Sequence, residues 1–272
     1  MRQKRRLRRY LAYLKTQSLS LQTITAYYRE AASLEAYLKG RKPKKEQVRQ
    51  FIAEKEKRNK ISTVNFYAIA VNRYLKWLNC SHCCVKTRKI QRRWSLENVI
   101  SCEEYERLFQ YAKENNNEKY YLIIRVLART GIRIGELRYI TFESLKRETV
   151  QVYGKGKYRT VYLPEDMRAE LLKYCNDMGI GAGCIFLGNR EKPISRSAVW
   201  QMLQKLACGA GIPPEKVHPH SFRHLFAKMY MRQHGNISEL ADILGHSGLE
   251  ITRIYLTTSR EEKLRRVEEL PL

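Results

Sequence analysis

Residues 148–164 read ETVQVYGKGKYRTVYLP. Two runs rich in β-branched and aromatic residues, 148–154 and 158–164, flank the glycine-rich GKGK, the pattern of two antiparallel strands joined by a tight turn. On either side of this stretch apolar residues recur at helical rather than alternating spacing, so a hairpin set into a helical domain is the expected architecture. CIFL at 184–187 is expected to add a third strand.

Upstream, Leu7, Tyr10, Leu11 and Leu14 share one helical face, and Ile24, Tyr27, Tyr28, Ala31, Leu34 and Leu38 share another on a helix starting near Ser20 or Thr23. Amphipathic segments at 44–57 and 62–78 complete a four-helix domain over 1–80. The apolar period then fails, and KTRKIQRR at 86–93 places five basic residues in eight, so 81–98 reads as a basic linker. A second domain, 99–272, opens on the capping-box pair Ser101 and Glu104. Beyond the hairpin, helices are expected at 195–208, 220–233, 237–244 and 250–257, with a tail at 258–272.

The 272 residues carry 52 Lys and Arg against 27 Asp and Glu, a formal charge of +25, which points to a polyanionic partner. Dense runs supply Arg5, Arg6, Arg8, Arg9, Lys86, Arg88, Lys89, Arg92 and Arg93 as candidate contacts to a DNA phosphate backbone. YLAYLKTQ after the basic start is no apolar signal core, and the apolar stretch YYLIIRVLA at 120–128 is too short to cross a bilayer; a cytoplasmic protein is expected. Seven cysteines without framework spacing read as reduced thiols. CSHCC at 80–84 lacks the second ligand pair that a tetrahedral zinc site needs, so no metal is assigned.

Three further stretches carry polar groups suited to phosphate. In ARTGIRIGEL, 128–137, Arg133 lies three residues before Glu136, and a fixed guanidinium can hold two phosphate oxygens in its planar fork. HPHSFRH, 218–224, presents His220, Arg223 and His224 on one helical face; an arginine between two histidines favours an anion over a cation. LGHSGLEITRIY, 244–255, adds His246 and Tyr255, and Lys155 stands in the hairpin turn. Singly each has a structural explanation. Together Arg133, Lys155, His220, Arg223, His246 and Tyr255 supply what attack on a phosphodiester requires: cations that offset developing charge and favour a phenolate, imidazoles, an ammonium and a phenol.

TGIRIGEL, GKGKYRTVYLP, HPHSFRH and LGHSGLEITRIY also resemble, in order, four sequence boxes of the tyrosine recombinase (phage integrase) family over 99–257, and LSLQTITAYYREAASLEAYL, 19–38, looks like the first core helix of that family's DNA-binding domain. The resemblance is to two-domain, Xer-like members. It implies a mainly α fold: an N-terminal four-helix SAM-like core-binding domain, then an α+β catalytic domain with a small β-hairpin. It further implies Arg133, His220, Arg223 and His246 around the nucleophile Tyr255, Lys155 as the acid for the leaving 5′ oxygen, Glu136 as support for Arg133, and no cofactor. Thr257, Phe222 and Lys228 depart from the family pattern without removing a catalytic group.

The function so implied is site-specific recombination: duplex DNA clamped between the two domains, a covalent 3′-phosphotyrosine, and strand exchange through a Holliday junction by a homotetramer. A type IB topoisomerase shares the chemistry. A metal-dependent nuclease would need clustered carboxylates, and the three aspartates, Asp166, Asp177 and Asp242, lie in unrelated segments. A non-catalytic DNA-binding regulator has no use for a tyrosine spaced from a phosphate clamp.

Overall fold

The computed structural model describes residues 2–89, 99–115, 117–154, 157–188, 191–245, 248, 252 and 268–269. The chain divides into two compact units, Met1–Arg93 and Trp94–Leu272. Among the described residues no helix is long and apolar enough to cross a membrane.

Four helices build the first unit: α1 Arg2–Lys15, α2 Leu21–Leu38, α3 Lys45–Glu56 and α4 Ile61–Trp77. Leu7, Tyr10 and Leu14 bury one face of α1, and Tyr10 meets Tyr74 of α4 edge to face at 4.7 Å and Trp77 at 5.2 Å. The Ser20 hydroxyl accepts from the Thr23 amide and so starts α2. Helix α2 buries two carboxylates, Glu30 and Glu35; Glu35 is fully buried and accepts from the Tyr74 hydroxyl at 2.5 Å and from Arg6 Nη1 at 2.8 Å. Burial, and the Glu35 hydrogen bond after it, push the Tyr74 phenol well above its ordinary pKa, so it stays a donor.

Arg6 is therefore turned inward, which corrects its expected place among the DNA contacts. It lies one helical turn from Tyr10, on the buried side of α1, whereas Arg5, Arg8 and Arg9 are exposed.

Residues 81–89, expected to begin the linker, are instead fixed to this unit. The Asn72 amide brackets Val85, donating to its carbonyl at 2.8 Å and accepting from its amide at 2.9 Å; Asn65 holds Arg88 the same way, at 2.8 Å in both bonds. The thiols of the CSHCC stretch diverge: Cys80 donates to the Leu78 carbonyl, Cys83 to Pro43 and Cys84 to Asn72. Residues 90–98 lie outside the described part.

The second unit is built on α5 Cys102–Glu114, α6 Glu118–Thr130, α7 Glu165–Asp177, α8 Arg196–Gly209, α9 Pro219–His234 and α10 Ile237–Leu244. Ser101 and Glu104 form the full capping box ahead of α5. Helix α6 is its centre; Leu122, Ile123, Ile124, Val126 and Leu127 are all buried, and α5, α7 and α9 pack around it. Strands β1 Thr149–Gly154 and β2 Lys157–Tyr162 pair antiparallel, with Val150 opposite Val161 and Val152 opposite Arg159. The expected third strand at 184–187 is absent among the described residues: Cys184 and Leu187 make only single bridges, to Thr141 and Pro193. Its β-forming side chains have no continuous partner edge, so propensity alone does not make a strand. The helix expected at 250–257 lies, except for Thr252, outside the described residues.

The buried triad in the first unit gives an expected outcome. Arg6→Ala leaves Glu35 a buried acceptor without its cation and should lower unfolding free energy by about 1–3 kcal/mol, whereas Arg5→Ala, on the exposed face, should change it little. Equal urea midpoints for the two variants would remove the triad from the stability of this unit.

Candidate active site

Helix α6 ends at Gly131, whose φ of +58° and tight surroundings suit only glycine: a Cβ there would lie 2.8 Å from Phe226 and 2.9 Å from Leu244. The chain then runs extended through Arg133 into a 3₁₀ turn, Ile134–Tyr139. Glu136 folds back so that its Oε2 accepts the Arg133 amide at 3.0 Å and its Oε1 the Arg133 guanidinium at 3.1 Å. The local sequence thus fixes both the backbone and the side chain of Arg133.

Arg223 comes from α9, whose first turn is capped by His218: its Nδ1 accepts from the Ser221 amide at 3.1 Å, with Pro219 at the first helical position. The Arg223 guanidinium is buried, donating to the Gly131 carbonyl at 2.6 Å and to the Leu244 carbonyl. Both acceptors belong to helix C-termini, where unsatisfied carbonyls carry partial negative charge. Two helix-end carbonyls thus fix the direction of the guanidinium.

The same helix end draws two more arginines. Arg133 Nη2 donates to the Gly245 carbonyl at 3.2 Å, and Arg159 Nη1, from β2, to the Ile243 carbonyl at 2.8 Å. Three consecutive carbonyls, 243–245, are thus each taken by a different arginine. Arg159 also pairs with Glu136 at 2.6 Å, so one carboxylate serves two guanidiniums. Burial raises the Glu136 pKa, but attraction to Arg159 and hydrogen bonds from Arg133 and Arg159 outweigh it, and the net shift is downward. The Arg159 pKa also falls, because burial exceeds what Glu136 returns; an arginine remains charged regardless.

His220 is exposed on the first turn of α9, and its ring lies 6.5 Å from that of half-buried His224. Burial, reinforced by His220, His218 and Arg223, pushes the His224 pKa down to about 4, so this ring is neutral near pH 7. Phe222 is fully buried and Lys228 exposed. The structure therefore brings Arg133, Glu136 and Arg223 together at the end of α10, with His220 one turn before Arg223. Lys155, His246, Tyr255 and Thr257 lie outside the described residues. Among the described residues no three His, Cys, Asp or Glu side chains are grouped as metal ligands.

Of the expected DNA contacts, Arg5, Arg8, Arg9, Lys86 and Lys89 are exposed on the first unit; Arg88 is exposed too but pairs with Glu56 at 2.6 Å. Arg92 and Arg93 are outside the described residues. Sequence reasoning missed Arg159 and the cap role of His218. The signal for Arg159 was its strand phase: it alternates with Val161, buried in β2, and with Leu163, buried just after it.

The model of the phage integrase family matches residues 98–262, and that of the phage integrase N-terminal SAM-like domain matches 7–80. A tyrosine recombinase of Pseudothermotoga lettingae is 30% identical over 190 residues, 68% of this chain and 64% of that protein's own length. Tyrosine recombinase XerA of Pyrococcus furiosus is 26% identical over 275 residues, 98% of this chain and 94% of that protein. Among solved structures, XerH site-specific recombinase bound to its difH substrate shares the fold with a TM-score of 0.73 at 18% identity, covering 92% of this chain and 80% of that one. A Tn1549 transposon integrase in complex with circular-intermediate DNA does so with a TM-score of 0.75 at 17% identity, covering 97% and 99%.

His224 sets a pH dependence. Its folded-state pKa, about 4, lies below the ordinary 6.5, so between those values the unfolded chain takes up a proton that the folded one refuses. Its share of stability is present above pH 6.5 and is lost as the pH falls toward 4. His224→Gln should flatten the decline in melting temperature across that window; an unchanged slope would show that another group causes it.

Proposed function

The chain belongs to the phage integrase family, and from that premise we propose that it is a site-specific DNA recombinase that cuts and rejoins duplex DNA through Tyr255. The observation that carries this reading is the pair of arginines at the end of α10. Arg223 is buried against the Gly131 and Leu244 carbonyls, and Arg133 is part-exposed beside Glu136. Such a pair suits a bound phosphodiester, whose non-bridging oxygens gain charge as a nucleophile adds.

In the proposed reaction the Tyr255 phenol gives up its proton to solvent, and its oxygen attacks phosphorus and bonds to it. The bond from phosphorus to the 5′ oxygen breaks, and Lys155 gives that oxygen its proton. His220 and His246 line the same phosphate, with His246 next in sequence to Gly245, the Arg133 acceptor. The phosphodiester is conserved as a 3′-phosphotyrosine, so a 5′ hydroxyl from a second duplex can reverse the step and join there. Repeating the exchange on the other strands resolves a Holliday junction, with four protomers acting on two sites.

Exposed Arg5, Arg8, Arg9, Lys86 and Lys89, with Arg92 and Arg93, are assigned to the phosphate backbone. We assign the protein to the cytoplasm, with its DNA. The tail carries Leu264, Val267 and Leu270 at helical spacing, and its role is placed in contact between protomers.

Tyr255→Phe should bind its site yet form no denaturation-resistant adduct on a nicked duplex; an adduct from that variant would refute the assignment. Arg223→Lys should lose about 10²–10³ in cleavage rate, the usual effect of removing a preorganised donor, because an ammonium cannot span both carbonyls and a phosphate. Near-normal cleavage by it would contradict the clamp. Lys155→Ala should cleave a 5′-bridging phosphorothiolate far better than ordinary DNA, since sulfur leaves without a proton. Equal impairment on both substrates would make Lys155 a binding residue.

A further inference from the structure

Arg159 sits in the inward phase of β2, opposite Val152 and two residues before buried Val161, where an apolar side chain would be ordinary. Its side chain is 8% exposed, and its two terminal nitrogens reach the Glu136 carboxylate and the Ile243 carbonyl. Its Nε has no hydrogen-bond partner among the described residues. A buried ion pair is a poor stability device, since apolar replacements of similar volume commonly hold a fold as well or better. Stability therefore gives little reason for an arginine here.

The charge balance gives a better one. With Arg159 absent, Arg133 and Glu136 form a neutral pair, and a neutral pair attracts a phosphate weakly. With Arg159 present, one carboxylate is shared between two guanidiniums and the trio keeps a net positive charge on the side of Arg133. The second hold, on Ile243, ties β2 to the carbonyl run whose next members bind Arg223 and Arg133. Gly245 completes this packing: at φ +61°, a Cβ there would run into the Arg159 side chain.

We propose that Arg159 is a positioning residue of the phosphate site, sharing Glu136 so that Arg133 keeps charge for the phosphate, and fixing the Ile243–Gly245 carbonyls that Arg133 and Arg223 grip. Arg159 itself does not touch the reacting atoms. The inference rests on the recombinase reading and deepens it.

The test uses the full chain and a nicked suicide duplex bearing the sequence that the wild-type protein enriches from a random duplex library. Adduct formation is followed in single turnover, with duplex affinity and thermal melting measured alongside. Arg159→Met should bind the duplex as wild type does but form adduct about 10–100-fold more slowly, the scale expected when a catalytic group is misplaced. The deficit should persist on the 5′-bridging phosphorothiolate, because the defect lies in gripping phosphate and not in protonating the leaving group. Adding Glu136→Gln to Arg159→Met should recover part of the rate, since it frees Arg133 of a full opposing charge while leaving an amide oxygen to orient it; loss of a merely structural contact would only worsen. Arg159→Lys should fall between wild type and Arg159→Met, and it carries the test if Arg159→Met loses its melting transition. Wild-type rates in both single variants, removal of the deficit by sulfur, or no recovery in the double variant would each overturn the role of Arg159. Failure of the wild-type protein itself to form an adduct would instead overturn the recombinase reading, and this inference with it.

Discussion

An α-helix leaves the carbonyls of its last turn without intrahelical donors, and in α10 those of Ile243, Leu244 and Gly245 are supplied by arginines from three separate parts of the chain. Arg133 arrives from the turn after α6, Arg159 from β2 and Arg223 from α9. A helix C-terminus carries partial negative charge and so attracts cations. That attraction gathers guanidiniums which would otherwise repel one another, and the Glu136 carboxylate is shared between two of them. The arrangement is conditional on two backbone features. Gly131 must turn α6 in a left-handed conformation close to Phe226 and Leu244, and Gly245 must do the same for α10 beside Arg159. Without either, the helix ends and their arginines would not meet.

How much of this was legible in the sequence differs by residue. The hairpin could be read because β-branched residues alternate about a glycine turn. The α5 start could be read because Ser101 and Glu104 satisfy each other's backbone amides, which is a local matter. CIFL at 184–187 had the composition of a strand but not the neighbour, and pairing is a long-range property. The arginine pair of Arg133 and Arg223 was visible through its motifs. Arg159 was visible only through its phase on β2, a signal that a charged residue in an inward position should have raised.

The basic runs show the opposite failure. Composition counts every arginine alike, but helical phase separates them: Arg6 lies over Tyr10 and is bound to buried Glu35, while Arg5, Arg8 and Arg9 face outward. Arg88 meets Glu56, and Arg125 and Arg129 form ion pairs with Asp166 and Glu170. The count of 52 lysines and arginines therefore overstates how many cations an incoming polyanion meets, and the surface that can neutralise phosphates is narrower than the sequence suggests.

The same reasoning fixes what a change of pH can do at the site. Guanidiniums do not deprotonate at any pH a folded protein survives, and the Glu136 carboxyl is held below its ordinary range by its arginine partners. His224, pushed down to about 4, is already neutral near pH 7. Above the carboxylate range the arginine frame at the end of α10 is thus constant in charge and in hydrogen bonding. A site built this way has its charge fixed in advance: helix-end carbonyls and one shared carboxylate orient guanidiniums that keep their charge at any pH the fold survives.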